Sequence, residues 1–409
     1  MPEPSSTPSP SIRVALVGVV AFFAACGGGT SASPTGAAGT SGKAGASGKA
    51  GASGKAGSGG AAGASGGATA GVSGAAGADA NPLAKKALSV HGNQLVDATG
   101  KPVRLLGINR AGSEYMCATA TVKSVFDGPT DDDNIQAMLA WHVNTVRLPL
   151  NESCWLGLAG TDGDVGGDFY QTLIKDYVDR LHAQGLYVVL DLHWTASGDA
   201  LAKDQRPMAD ADHAIDLWTS VATYFKDDPM VIFDLFNEPY LDFAGAGDAW
   251  GCWLDGCTVQ GAQTAGMQAM LDAVRATGAK QVVVAGGLSY ANKLDGWLAH
   301  KPRDPTGNLM AAFHVYNDGA CADTGCWNGA VAGVAQQVPI ITGEVGERDC
   351  SHGFLDGYMS WADAHGVGYL GWAWNPQDCA KFPALISDWS GNPTTFGLGL
   401  QTHLASVNP

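Results

Sequence analysis

Asp168-Phe-Tyr-Gln-Thr-Leu-Ile-Lys-Asp-Tyr-Val-Asp-Arg-Leu-His-Ala-Gln-Gly185 runs directly into Leu186-Tyr-Val-Val-Leu-Asp-Leu-His193, and the change of period between the two decides the fold. In the first segment Phe169, Leu173, Ile174, Tyr177, Val178 and Leu181 fall on one helical stripe, and Gly185 supplies a stop. In the second, Tyr187–His193 is nearly continuous apolar sequence, the pattern of a strand buried on both faces of a parallel sheet. Similar runs stand at Val103–Asn109, Thr145–Leu150, Val231–Asn237, Gln281–Gly287, Leu309–Tyr316, Pro339–Val345 and Gly368–Trp374, which brings the number to eight. Helical period returns at Asp212–Phe225 and Phe354–His365. Eight strand-then-helix units over about 280 residues predict an α/β fold of the (β/α)₈ TIM-barrel type. An open doubly wound sheet fits less well. No Gly-x-Gly-x-x-Gly follows the first strand, and polar groups close nearly every run, which suits a ring better than one switch point. Ahead of the first run, two turns around Gly92-Asn93 and Thr99-Gly100 predict a short N-terminal β-hairpin.

Upstream of this body the composition changes. Between Gly27 and Ala80, Gly and Ala occupy 36 of 54 positions, and a stretch so poor in bulky side chains cannot offset its ordering entropy by burial. A six-residue period beginning at Ser41, Ser47 and Ser53 is too short and too small for a solenoid, so residues 27–82 read as a disordered, flexible linker. Residues 83–409 are then one catalytic-size barrel domain. Residues 1–26 contain the apolar run Val14–Ala25 after Arg13, about half the ~20 residues that span a bilayer. This reads as an export signal, and its Ala24-Ala25-Cys26 ending resembles a bacterial lipobox with Cys26 as the lipid anchor. The chain is therefore expected to be exported, as a cell-envelope lipoprotein or an extracellular protein, touching a membrane only through that anchor.

Cysteine number agrees with export. Without Cys26 the nine cysteines become eight, an even set suited to disulfides. Eight allow 105 pairings. The short loops favour Cys252–Cys257 and Cys321–Cys326, and the remaining four are taken as Cys117–Cys154 and Cys350–Cys379. Spacing and oxidation argue against zinc, and neither a metal nor another cofactor is expected. The net charge is −16, and residues 1–82 carry four basic and two acidic side chains, so the acid excess lies wholly in the barrel. With no basic cluster to override that charge, nucleic acid is excluded as a partner. A monomer is expected.

In barrels of this kind the C-terminal strand ends converge on one mouth. Here they supply Asn109-Arg110, Arg147, Asp191-Leu-His193, Asn237-Glu238-Pro239, His314-Val-Tyr316, Glu344 and Trp372-Ala-Trp374. With Leu105-Leu-Gly-Ile-Asn109, Val146-Arg-Leu-Pro149, Leu190-Asp-Leu-His193, Phe236-Asn-Glu-Pro239, Phe313-His-Val-Tyr316, Thr342-Gly-Glu344 and Gly371-Trp-Ala-Trp-Asn375 in order, the chain resembles glycoside hydrolase family 5, retaining barrels that include cellulases and mannanases. The likeness runs from about Leu88 to the C-terminus. It implies that Glu238 is the general acid/base and Glu344 the nucleophile.

Charge assigns the neighbours. Arg147 and Tyr316 suit the Glu344 carboxylate, while a nearby negative charge is expected to hold Glu238 protonated. Asn237 suits the sugar 2-hydroxyl, His193 and His314 complete the network, and Trp372 offers a stacking face. Glu114, Glu152 and Trp374 are possible subsite residues, with Glu114 and Glu152 on loops next to the Cys117–Cys154 bridge. Trp155, Trp194, Trp250, Trp253 and Trp327 are further loop tryptophans suited to stacking. The expected activity is endo-β-1,4-glucanase-like hydrolysis of a polysaccharide or oligosaccharide. The alternatives are a β-mannanase or other β-glycosidase, a non-catalytic carbohydrate-binding barrel, and metal-dependent hydrolysis. The last is disfavoured because strand one lacks a His-x-His pair.

Overall fold

Each of the eight apolar runs becomes a parallel strand, and the strands pair in chain order around a closed barrel. They are β1 (Leu106–Asn109), β2 (Thr145–Asn151), β3 (Tyr187–Trp194), β4 (Val231–Asp234), β5 (Val283–Gly286), β6 (Leu309–Tyr316), β7 (Ile340–Gly346) and β8 (Gly368–Gly371), with β8 returning to β1. The computed structural model describes residues 82–408 apart from 119–123, 159 and 162–164. The signal-like segment with Cys26 and the linker through position 81 lie outside the described residues. Two strands end three residues sooner than the sequence suggests. β4 stops at Asp234, which leaves Asn237 and Glu238 on the segment beyond it, and β8 stops just before a cis peptide between Trp372 and Ala373.

The expected hairpin is a three-stranded antiparallel sheet of Ser89–His91, Gln94–Val96 and Pro102–Val103. Leu88 and Leu95 join Val189, Ile232, Val284, Ala312, Ile341 and Leu370 in one buried cluster, so this sheet caps the N-terminal end of the barrel. Side chains alternate in and out along a strand. Two residues beyond Val189, Ile232 and Ala312, the inward row therefore turns polar, at Asp191, Asp234 and His314.

A second cluster lies between the strands and the outer helices. The helix Asp168–Ala183 contributes Tyr170, Ile174, Tyr177, Val178 and Leu181, and each fully buried aliphatic side chain is worth about 1.5–3 kcal/mol over its exposed form. Phe169, placed on the stripe from sequence, is instead 48% exposed. Tyr170 takes the inward place because its hydroxyl accepts from Asn151 N at 3.1 Å and donates to Ser113 O at 3.0 Å. The disulfides are Cys117–Cys154, Cys252–Cys257, Cys321–Cys326 and Cys350–Cys379. All eight cysteines stand on segments that follow the C-terminal ends of barrel strands, so every bridge ties the rim of the mouth.

Candidate active site

Arg147 sets the geometry of the mouth. Its inward position on β2 buries it completely, and a buried charge is tolerated only when its donors find partners. Nη1 donates to Glu344 Oε1 at 3.0 Å and to Asn109 Oδ1 at 3.1 Å; Nη2 donates to Asp191 Oδ2 at 3.0 Å and to Asn237 Oδ1 at 2.8 Å. Nε donates to Asp234 Oδ2 at 3.2 Å. A lysine ammonium, with three donors on one atom, could not replace this planar fork.

Three carboxylates around one guanidinium leave an excess of negative charge, and two neighbours absorb it. Burial lifts the Asp234 carboxyl to about 7, against the opposing pull of Arg147. His193 is pushed down by burial, but Asp191, whose Oδ2 lies 2.9 Å from Nδ1, outweighs that and raises the imidazole to about 9. His193 is thus cationic at neutral pH.

The two glutamates differ in how they are held. A bulge between Phe313 and His314 sets the β6/β7 register so that His314 pairs with Glu344 and Tyr316 with Gly346. Tyr316 Oη donates to Glu344 Oε2 at 2.6 Å, and burial beside that carboxylate raises the phenol well above its usual range, so it remains a donor. The close approach depends on glycine. A Cβ on Gly343 would lie 2.8 Å from His314 Nε2, and one on Gly346 would lie 2.3 Å from Tyr316 Cε1.

Glu238 is less enclosed, with its side chain 15% exposed. Its Oε1 lies 2.8 Å from His314 Nδ1, and Gln205 Nε2 donates to Oε2 at 2.8 Å. Burial raises this carboxyl, but His314 and Gln205 together outweigh it and hold Glu238 below its ordinary value. That corrects the sequence expectation of a raised acid. Acidic oxygens of Glu238 and Glu344 lie within 4.8 Å of each other and of a His314 ring nitrogen, near the ~5–5.5 Å at which two carboxyls serve opposite faces of one glycosidic bond.

Among the other predicted residues, Trp372 is half-buried and stacks on His193, with ring centroids 5.5 Å apart and planes 9° from parallel. Asn237 gives its acceptor to Arg147, so what it offers a ligand is N–H. Glu114 is buried; it accepts from Gly112 N at 2.7 Å, and burial lifts its carboxyl to about 7 while His193 pulls the other way.

Two proposed subsite residues are elsewhere. Glu152 is fully buried and bonds Thr195 Oγ1 and Ala196 N, so it presents nothing to a sugar. Trp374 is fully buried edge-on against Trp141, with centroids 5.0 Å apart; because β8 has already ended, it packs beneath the mouth. Trp155, Trp253 and Trp327 are also buried, whereas Trp194 and Trp250 remain partly exposed. Sequence reasoning gave no role to Asn109, Asp191, Asp234, Gly343 or Gln205. Asn109 closes its apolar run, and Asp191, Asp234 and Gly343 are polar or glycine breaks within theirs, a signal that could have found them. Gln205 lies in an irregular segment that carries none.

Comparison with known proteins agrees with this geometry. The sequence model described as Cellulase (glycosyl hydrolase family 5) matches residues 96–378. A mannan endo-1,4-beta-mannosidase of Salipaludibacillus agaradhaerens is 25% identical over 75% of this chain and 87% of its own length. Endoglucanase A of Butyrivibrio fibrisolvens is 27% identical over 56% of this chain, but the match spans only 45% of that protein. The fold is similar to the crystal structure of a beta-glucanase from Saccharophagus degradans solved with cellotetraose, with a TM-score of 0.60 and 21% identity over 79% of this chain and 94% of that one. With the family pattern matched over more than half its length, on a closed barrel whose two glutamates meet at the mouth, this chain belongs to glycosyl hydrolase family 5.

Proposed function

We propose that this glycoside hydrolase cleaves β-1,4-glucan chains by double displacement, with Glu344 as nucleophile and Glu238 as general acid/base. The observation that carries the reading is the different holding of two glutamates within 4.8 Å of each other. Glu344 is fixed by Arg147 and Tyr316, which hold its carboxylate in one orientation for attack on an anomeric carbon. Glu238, held by His314 and Gln205 on the more open side of the pair, passes its proton to the glycosidic oxygen as the C–O bond breaks. Once Glu344 is esterified by the sugar its charge is gone, and Glu238 takes a proton from the water that attacks the ester. Asn237 donates to the 2-hydroxyl, and Trp372 supplies a stacking face for the reacting sugar.

Glu344→Gln should be nearly inert on every substrate. Glu238→Ala should keep turnover of glycosides with good leaving groups and be rescued by azide with retained configuration. Inverted product from the unaltered enzyme, or full activity in Glu344→Gln, overturns the assignment. β-Mannan is the second reading, favoured by the mannosidase that matches three quarters of the chain. Product lengths from cellulose, soluble β-glucan and mannan separate the two and distinguish internal from end-wise cutting.

The same reading includes domain organisation. Residues 1–26 act as an export signal ending at a lipidated Cys26, and residues 27–82 as a tether ahead of a monomeric catalytic domain. The support is the apolar run, the Ala-Ala-Cys ending and the Gly/Ala composition. Cys26→Ala should release the protein from membranes; an unaltered protein that is already soluble after export removes the anchor from the proposal.

A further inference from the structure

Among the described residues, two groups of acidic and histidine side chains lie close enough to share an ion. One is Glu238, His314 and Glu344. The other, Glu152, Asp210 and His213, has no part in the chemistry above. Glu152 begins the short helix directly after β2. Asp210 and His213 close the irregular segment 195–213 that follows β3, whose only sheet-like contact is an isolated bridge from Asp210 to Thr264.

Charge is unbalanced in this group. Glu152 is fully buried and Asp210 is 3% exposed, and the ion pairs described for both carboxylates are to His213 alone. Thr195 Oγ1 sits between them, 2.8 Å from Glu152 Oε2 and hydrogen-bonded to Asp210 Oδ2. A hydroxyl has one proton and cannot donate to both. Glu152 Oε1 is buried with no partner, a costly condition for a carboxylate oxygen. His213 Nδ1 lies 3.3 Å from Asp210 Oδ1 and 3.9 Å from Glu152 Oε2, with Ala196 O at 3.2 Å. A surface cavity lined by Ser197, Ala200, Arg206, Met208 and Asp210 reaches the group at Asp210.

We propose that Glu152, Asp210 and His213 bind one divalent cation of the Zn²⁺ or Mn²⁺ type, with Thr195 Oγ1 and the Ala196 carbonyl at its margin. The mixed carboxylate and imidazole donors select that class over Ca²⁺ or Mg²⁺, which favour all-oxygen sites. The cation supplies here the positive charge that Arg147 supplies at the barrel centre. It also fastens both ends of segment 195–213, whose middle carries Gln205 onto Glu238. The site therefore positions the acid/base without touching substrate.

The test uses the full-length protein, stripped with EDTA, dialysed and titrated calorimetrically with ZnCl₂ and MnCl₂, with CaCl₂ and MgCl₂ for comparison. One equivalent of Zn²⁺ or Mn²⁺ should bind, and Tm should rise by roughly 5 °C at hundredfold saturation. Glu152→Gln and His213→Ala should each weaken binding at least about 10-fold. Glu152→Gln is nearly isosteric and should fold without metal, which guards against loss of binding through misfolding. No binding by the unaltered protein, unchanged affinity in both variants, or response to Ca²⁺ alone overturns the proposal. A Glu152→Gln variant more stable than a cation-insensitive parent also overturns it and shows a proton shared between Glu152 and Asp210. Removing the cation, like Gln205→Ala, should lower kcat about fivefold on poor leaving groups, as expected for about 1 kcal/mol of lost hydrogen bonding, and spare activated aryl glycosides. That kinetic arm rests on Glu238 as the acid and the titration does not, so the two readings fail separately.

Discussion

The barrel centre and the rim beside β3 each gather carboxylates and an imidazole out of water, but only the centre contains a fixed cation of its own. Around Arg147, Asp191, Asp234 and Glu344 each accept an N–H of the guanidinium. Around Glu152 and Asp210 the donors are one threonine hydroxyl set between both acids and backbone N–H groups of Ala196, Asp212 and His213. Glu152 Oε1 goes without a partner, as Asp191 Oδ1 and Asp234 Oδ1 do at the centre, but among the described residues no arginine or lysine pairs with the rim acids. The difference teaches where charge is covalently committed and where it is left to be brought in. The proposed mechanism needs its nucleophile held in one orientation beside a permanent positive charge, and a buried arginine, always protonated, supplies that. The rim has no such requirement.

Removing the built-in cation gives the largest expected effect. Arg147→Met takes the guanidinium from Glu344 and Asp234 and leaves Asp191 to His193 alone, and should cost about 3–5 kcal/mol of stability, read by chemical denaturation. A variant as stable as its parent would mean that the centre is no better balanced than the rim, and the comparison would break. Tyr316→Phe keeps the charge balance but deletes one donor to Glu344. It should lower kcat about 10- to 100-fold with KM nearly unchanged, the worth of a hydrogen bond to a charged group; an unaltered kcat would leave Arg147 as the sole support of that carboxylate.

The smallest effect is a pH dependence. The folded value of His193, about 9, lies above the ~6.5 of an unfolded histidine, so its pairing with Asp191 contributes fully below about 6.5 and is lost as pH rises through about 9. Tm of the parent should therefore fall over that interval more steeply than Tm of His193→Asn. Parallel curves would show that the imidazole adds no charge to the centre.

Much of this was legible in the residues themselves. Strand number, ring closure and both glutamates follow from apolar runs that end in polar side chains, because in a barrel the chain order of the strands is also their spatial order. Asp191 and Asp234 were legible too, as acids one pleat beyond Val189 and Ile232, although no role was drawn from them. What stayed hidden depends on contacts between segments that share no period. Trp374 reads as a mouth residue only if β8 continues past Gly371. Glu152 reads as a sugar ligand only if the segment ending at Asp210 does not fold over it. Glu238 reads as a raised acid until Gln205, some thirty residues upstream in an irregular loop, and His314 are seen to donate to it. Burial pattern locates a carboxylate; its proton affinity is set by whichever donors the loops bring.

The placement of the four disulfides bears on how such a chain can be made. Since every bridge joins segments on the strand-end face and none reinforces the capped end, oxidation bears on the rim loops and on the core packing beneath them, where Cys117, Cys154, Cys252 and Cys321 are buried. Production in a reducing cytosol and production in an oxidising envelope thus become different preparations of one sequence. The reduced preparation should be less stable and hold its mouth loops less firmly, read by thermal denaturation and by an assay on substrate.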